Sequence, residues 1–350
     1  MRNAHNPILE PSHVAPSSSE LEVVGVFNAG VAALGDEIVL LLRVAEAPRG
    51  IPEDAIAAPI FDVASGRIVF RRWMRGGAGV EAGKDSRVFE VDGSVYLTSV
   101  SHLRIARSRD GVRFVVDPVP TVTPETDLEA FGVEDPRITR LDDAWWVTYT
   151  AVSSAGIATG LLRTTDLRTF ERRGIVFAPP NRDVAIFPER IDGRAVALHR
   201  PMTHGLGRPS MWLASSPDMQ SWGEHRLVAG PRGGGWDDEK IGAGAVPFRI
   251  VWNGRPAWLA IYHGVKSVPT TYALGALLLD YERPHVVLAR SARPFLSPEA
   301  PYETQGFFGS VVFTCGAILE GDVVRVYYGA ADGVTCLADV PLATILAGLE

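Results

Sequence analysis

The stretch EDPRITRLDDAWWVTYTA, Glu134 to Ala151, is an apolar run, a turn centred on Asp142-Asp143, then a strand rich in β-branched and aromatic residues. The same phrase appears as NAGVAALGDEIVLLLRV from Asn28 and DSRVFEVDGSVYLTSV from Asp85. It returns as FPERIDGRAVALHRP from Phe187, GAGAVPFRIVWNGRPAWLAIYHG from Gly242 and VVFTCGAILEGDVVRVYYGAAD from Val311. Asp92-Gly93, Asp192-Gly193 and Asn253-Gly254 mark tight hairpins, because Asn or Asp followed by Gly accepts the positive φ such turns need. A second phrase follows most copies: LRIARSRDGVRF from Leu103, TGLLRTTDLRTF from Thr159 and MWLASSPDMQSW from Met211. Each is a strand, a Ser/Thr-Asp turn and a closing aromatic. Units of about four short strands repeating every roughly 50–55 residues are the pattern of β-propeller blades. The fold class expected is therefore all-β, a propeller of five or six blades. Residues 47–84 break the period and read as an insertion. A β-sandwich would explain the strands but not the period.

Composition narrows the function. Of 350 residues, 46% are hydrophobic and 21% charged, which excludes disorder. No apolar run is long enough to span a membrane as a helix. The formal charge of −7 and the lack of a Lys/Arg block exclude a nucleic-acid partner. Cys315 and Cys336 are too few for a disulfide scaffold and read as buried thiols, and no His/Cys cluster suggests a metal. Residues 1–20 are Pro/Ser-rich without an apolar signal core. They read as a flexible arm before one catalytic domain, residues 21–350, in a cytoplasmic protein.

Inner strands of a propeller converge on its axis, so polar residues at the ends of the repeated phrases belong to one funnel. Those residues are Asn28, Arg43, Glu134, Asp135, Arg137, Asn181, Arg182, Asp183, His199, Arg200, Lys240, Tyr262, His263, Tyr272 and Asp332. A charge closing an apolar strand is costly unless paired or used. Inter-blade ion pairs could explain any one of them, but not the recurrence at equivalent repeat positions. Arg182, Arg200, Lys240, His263 and Tyr272 form a donor-rich set suited to a phosphate dianion. No Gly-rich nucleotide loop is present, so the anion is expected to be small. Asp135 and Asp332 are acid candidates, and Trp145, Trp146, Trp236 and Tyr302 are candidate faces for sugar rings.

GVEDPRITRLDD, NRDVAIFPERIDGRAVALHRP, KIGAGAVPF followed by LAIYHGV, YALGALLLDYERP and VVFTCGAILEGDVVRVYYGAAD resemble the glycoside hydrolase family 130 enzymes, the β-mannoside phosphorylases. The likeness spans roughly residues 25–345 in the family's motif order. It implies a five-bladed β-propeller. It also implies Asp135 as catalytic acid, Asn28, Arg43 and Asp332 as holders of the mannosyl ring, and Arg182, Arg200, Lys240, His263 and Tyr272 as the phosphate site. Arg182 stands where many relatives show Lys. The implied reaction is inverting, reversible phosphorolysis of a β-1,2- or β-1,4-mannoside to α-mannose 1-phosphate and an acceptor sugar. Asp135 would act through the sugar's 3-hydroxyl. Inorganic phosphate is co-substrate, and no metal or organic cofactor is called for. An inverting hydrolase needs a second carboxylate as base, roughly 6.5–9.5 Å from the acid, whereas phosphate is already a nucleophile. The cations thus favour phosphorolysis over a β-mannosidase of the same family, over a non-catalytic carbohydrate-binding propeller, and over a furanosidase-like site using Asp135, Asp332 and Glu303. Linkage, acceptor and assembly state, monomer or homo-oligomer, stay open at this level.

Overall fold

The computed structural model describes residues 1–83, 85–203 and 205–350. It is an all-β chain whose α-helices among the described residues are two short ones, Pro301–Thr304 and Leu342–Ala347. Among the described residues no helix is long and apolar enough to cross a membrane.

The strands form five successive antiparallel groups. In the first, Leu21–Leu34, Glu37–Pro48, Val100–Ser108 and Val115–Val116 pair in that order. The second runs Gly132–Leu141, Ala144–Ser153, Gly156–Thr164, Glu171–Phe177, and touches the first through a single parallel bridge, Gly132 to Ser101. Asn181–Ile186, Ala195–Pro201, Met211–Ser216 and Gly223–Ala229 make the third. In the fourth, Lys240–Ala243 and Phe248–Trp252 both pair with Arg255–Lys266, followed by Thr271–Asp280 and Val287–Arg290. The fifth comprises Val312–Glu320, Val323–Ala330 and Val334–Pro341.

The long apolar runs follow from burial on both faces, which removes the need for polar alternation. In Glu37–Pro48, Ile38, Leu40, Leu42 and Val44 pack toward Tyr327 and Leu337 of the fifth group, while Val39 and Leu41 pack toward Val147 and Leu162 of the second. In Arg255–Lys266, Trp258, Ala260 and Tyr262 face Leu198 and Leu213, while Leu259 and Ile261 face Val324 and Val326. A fifth core joins Leu161 and Phe177 to Val184 and Ile186.

The Ser/Thr-Asp turns have one construction. Asp110 accepts the backbone N–H groups of Val112 and Arg113, Asp166 those of Arg168 and Thr169, and Asp218 those of Gln220 and Ser221, all at 2.7–2.9 Å. These bonds hold each carboxyl down at about 2.

Two expectations are corrected. The inserted segment does not end at residue 84. It runs through two small sheets, Ala55–Asp62 with Arg67–Met74, then Val80–Ala82, Val88–Val91 and Ser94–Leu97. The phrase from Asp85 is therefore a hairpin of the insertion, with its turn at Asp92-Gly93, and not a main repeat. Residues 1–20 are not a loose arm. Ile8 and Leu9 donate to the Thr335 carbonyl, Leu9 accepts from Thr335 N–H, and the Asn6 amide bonds both backbone groups of Leu337. Ile8 and Leu9 are buried, and Arg2 pairs with Glu303 at 2.7 Å. The arm thus extends the last group edgewise. Deleting residues 1–9 exposes an edge strand and loses two buried aliphatic side chains worth about 1.5–3 kcal/mol each. The expected result is a clear fall in the urea midpoint; an unchanged midpoint would contradict this role.

Candidate active site

Four polar site residues have positive φ: Asn28 (50°), Asp135 (49°) and Asp183 (58°) within strands, and Asp332 (51°) in the turn between Val323–Ala330 and Val334–Pro341. Asn and Asp tolerate this region better than other non-glycine residues. The first three lie in register shifts, between Phe27 and Gly30, Glu134 and Arg137, and Arg182 and Ala185. A bulge re-aims a side chain off its sheet face, so consecutive polar residues such as Glu134 and Asp135 both reach the same space.

That space is a cavity of about 250 Å³ lined by all nine residues singled out from sequence: Asn28, Arg43, Asp135, Arg182, Arg200, Lys240, His263, Tyr272 and Asp332. Also in its wall are Arg87, Glu134, Asp183 and Phe308. Asn28 Nδ2 donates to Asp135 Oδ1 at 2.9 Å. Arg43 spans both carboxylates, Nη1 to Asp135 Oδ1 at 3.1 Å and Nη2 to Glu134 Oε1 at 2.7 Å, and its guanidinium lies 4.6 Å from the centroid of the Phe27 ring. Burial pushes Asp135 up, but Arg43, Arg182, Asn28 and Arg137 outweigh it and hold the carboxyl below its usual range. Glu134 goes the other way: burial raises it beyond what Arg43 offsets.

Opposite lies a cationic arc. Arg200 Nη2 meets Asp183 Oδ2 at 2.7 Å, and Arg200 Nε and Nη1 are buried without a partner among the described residues. His263 is fully buried, with Nε2 3.4 Å from Asp183 Oδ2. Lys240 Nζ stands 5.2 Å from the Tyr272 ring centroid, and Arg182 Nη2 is 3.9 Å from Glu134 Oε2. Gly242 permits this crowding, since a Cβ there would stand 2.3 Å from Asp183 Oδ2 and 2.6 Å from the His263 ring.

Burial pushes His263 down to about 3, so it is neutral near pH 7. His199 behaves alike, at about 3, through burial and its neighbour His225; its Nδ1 faces the Asn181 amide at 3.0 Å. Both histidines bind a proton near pH 6.5 when unfolded and only near 3 when folded. The unfolded chain therefore holds more protons between these values, and stability is lost as pH falls below 6.5, by about 1.4 kcal/mol per pH unit for each residue. The urea midpoint is expected to be markedly lower at pH 5 than at pH 7; equal midpoints would contradict the neutral assignment.

Sequence reasoning missed several members. Asp183 and Arg137 were named only as parts of motifs and given no role, yet Asp183 holds Arg200, Arg137 and His263 together. Arg137 is a buried strut, donating from Nε to the Gly244 carbonyl at 2.8 Å and from Nη2 to the Ala243 carbonyl at 2.7 Å. Arg87 comes from the insertion, pairs with Asp332 and Asp85, and stacks 4.4 Å from the Phe308 centroid. No local signal marks these; only their partners across the fold do. Some candidates fall outside. Asn181, His199 and Tyr262, expected in the funnel, do not line the cavity, nor do Trp145, Trp146, Trp236 and Tyr302; the aromatics there are Phe27, Tyr272, Phe307, Phe308 and Phe313. Trp236 instead packs on Tyr262. Glu303 is held by Arg2 and Tyr328 outside the cavity, which removes the three-carboxylate reading.

The chain is similar to known proteins over most of its length. A family model described as beta-1,4-mannooligosaccharide phosphorylase matches residues 80–350. A beta-1,2-mannobiose phosphorylase of Listeria innocua is 40% identical over 353 residues, covering 100% of this chain and 98% of the relative. A beta-1,4-mannooligosaccharide phosphorylase of Ruminococcus albus is 34% identical over 270 residues, covering 74% of this chain and 77% of its own. The crystal structure of the Listeria enzyme with beta-1,2-mannobiose superposes with a TM-score of 0.94 at 41% identity, covering 100% and 98% of the two chains. With the motif order, the full-length match and the architecture in agreement, the chain belongs to glycoside hydrolase family 130.

Proposed function

We propose that the protein is a β-mannoside phosphorylase that transfers a mannosyl group reversibly between an acceptor sugar and inorganic phosphate, with inversion, giving α-mannose 1-phosphate. The observation that carries this reading is the arc of Arg182, Arg200, Lys240 and His263 lining one cavity with Asp135, with Arg200 Nε and Nη1 buried and without a partner among the described residues. Guanidinium forks and an ammonium suit a tetrahedral dianion, which as a nucleophile needs only holding and aiming. The remaining carboxylates are poor candidates for a water-activating base. Asp183 is tied to Arg200 and Arg137, Asp332 to Arg87, and Glu134 to Arg43, the cation it shares with the adjacent Asp135.

In this reading Asn28, Arg43 and Asp332 hold the mannosyl ring, and Asp135 supplies the proton for the leaving oxygen, relayed through the ring's 3-hydroxyl. Phosphate, gripped by Arg182, Arg200, Lys240, His263 and Tyr272, attacks the anomeric carbon from the opposite face. No metal or organic cofactor enters the scheme. We read the architecture as a five-bladed β-propeller: five face-to-face cores link each strand group to the next and the fifth back to the first. Two buried free cysteines agree with a cytoplasmic setting. The full-length likeness to a β-1,2-mannobiose enzyme favours a short β-1,2-linked substrate.

The test runs the reaction backwards. Mannose 1-phosphate is incubated with mannose, glucose, N-acetylglucosamine and mannobiose, and released phosphate is measured. Phosphate release with mannose, with a β-1,2-linked product, supports the reading; hydrolysis of mannose 1-phosphate without acceptor transfer, or no release with any acceptor, overturns it.

A further inference from the structure

Glu134 and Asp135 are neighbours in sequence, and the bulge that starts at Glu134 sends both carboxylates into the cavity. They share one close cation. Arg43, from Glu37–Pro48, reaches one oxygen of each. The other groups facing the pair are Asn28 from Leu21–Leu34, Ser101 from Val100–Ser108 (Oγ 3.4 Å from Glu134 Oε1), Arg182 and Asp183 from Asn181–Ile186, and Asp332 with its partner Arg87. Behind them Arg137, on their own strand, donates to the Asp135 carbonyl at 3.3 Å.

The charge of the cavity wall matters for what enters it. Arg43, Arg87, Arg182, Arg200 and Lys240 oppose Glu134, Asp135, Asp183 and Asp332, leaving one net positive charge with His263 neutral. Arg137 and Asp85, just behind the wall, cancel each other. A phosphate dianion would therefore leave the site with an uncompensated negative charge away from bulk water, where repulsion is strong. Asp183 already has an arginine on each oxygen, and Asp332 has Arg87. Once Arg182 turns to the anion, Glu134 and Asp135 are left with Arg43 alone. The site can restore its balance most easily by protonating one of these two.

We propose that Glu134 and Asp135 act as one proton-holding pair, and that phosphate binding makes the pair take up the proton that Asp135 then gives to the leaving sugar. This rests on the phosphorolytic reading above. The balance closes: solvent gives one proton to the pair as hydrogen phosphate binds. On cleavage that proton leaves with the acceptor oxygen as the anomeric C–O bond breaks and the new C–O–P bond forms. The ionised carboxylate and the sugar phosphate monoanion remain. The geometry agrees, because Asn28 and Arg43 both bond Asp135 Oδ1, leaving Oδ2 without a hydrogen-bond partner among the described residues. It also answers a conflict: unliganded, the surrounding cations keep the acid ionised, the wrong state for its task. Glu134 is a positioning residue that sets when Asp135 carries a proton.

The test is calorimetric titration at pH 8 with inorganic phosphate, and separately with sulfate, whose charge is fixed, in two buffers of different ionisation heat. Wild type is expected to take up about one proton per bound anion of either kind. Glu134→Asp keeps the uptake. Glu134→Gln removes most of it and shifts the phosphorolysis optimum to lower pH, by about one unit, because Asp135 no longer has a like charge beside it. Anion binding by wild type without proton uptake overturns the proposal. So does uptake that persists in Glu134→Gln, or a rate loss in that variant by one factor at every pH, which is the mark of a structural role. Wild-type sulfate uptake decides the matter if Glu134→Gln does not fold. Phosphate-dependent turnover without proton uptake would sink the pair alone, whereas absence of phosphate-dependent turnover would sink the phosphorolytic reading.

Discussion

Asp135→Asn is expected to lower kcat for phosphorolysis by about 10²–10⁴-fold, the range that a general acid contributes, while the protein stays folded. Asparagine accepts the left-handed backbone at this position. Its amide oxygen can take over the bonds from Asn28 and Arg43 to Oδ1. What is lost is the acidic proton. Steady-state rates with saturating phosphate and mannobiose, beside a thermal melt, separate the two effects. A variant with wild-type kcat would remove Asp135 from the role of acid. One that melts far below wild type would show that the carboxylate is chiefly a counter-ion for Arg43.

Arg200→Ala should have an effect of similar size by a different route. The guanidinium is the arc's most deeply buried cation, 3% exposed, and its Nε and Nη1 have no partner among the described residues. Its loss is expected to raise KM for phosphate by about 10²-fold or more, the scale for losing a buried charged hydrogen-bonding partner. It also strips Asp183 Oδ2 of its closest cation and leaves a fully buried carboxylate with Arg137 at 3.3 Å and a neutral His263. Breaking a buried pair in this way costs about 3–5 kcal/mol of stability. The double variant Arg200→Ala/Asp183→Asn distinguishes the two consequences. It should recover much of the stability and none of the phosphate affinity. Recovery of both would mean that Arg200 serves Asp183 rather than the anion.

What could be read from the chain and what could not divides along physical lines. Strand and hairpin positions were legible because they depend on near neighbours: the Asp192-Gly193 and Asn253-Gly254 turns, and the Ser/Thr-Asp turns whose carboxylates cap two N–H groups a few residues on. The nine site residues were legible as polar groups bracketing apolar runs, and all nine reach one cavity. Residue type alone suggested an anion site and two acid candidates; the choice of Asp135 and the mannosyl-ring roles came from a resemblance. Asp183 and Arg137 stayed hidden because their meaning lies in partners 46 residues apart in the chain, or 107 for the Arg137 bond to Gly244. Glu134 was placed in the funnel but given no role, because only the bulge shows that its carboxylate and that of Asp135 reach the same space. The tryptophans misled because a large aromatic in a strand serves core packing as readily as a sugar face, as Trp236 does against Tyr262. The N-terminal segment misled for the opposite reason. Its composition is polar, but its contribution is backbone pairing and two buried side chains, which composition does not record.

The central claim is that an inorganic anion is held beside one proton donor and serves as the nucleophile. A ³¹P NMR time course with β-1,2-mannobiose and inorganic phosphate tests it most directly. The account predicts that the phosphate signal falls as a hexose 1-phosphate signal grows, mole for mole with free mannose, and that leaving phosphate out stops mannobiose loss. Mannose appearing at the same rate without phosphate, and no sugar phosphate signal with it, would contradict the account.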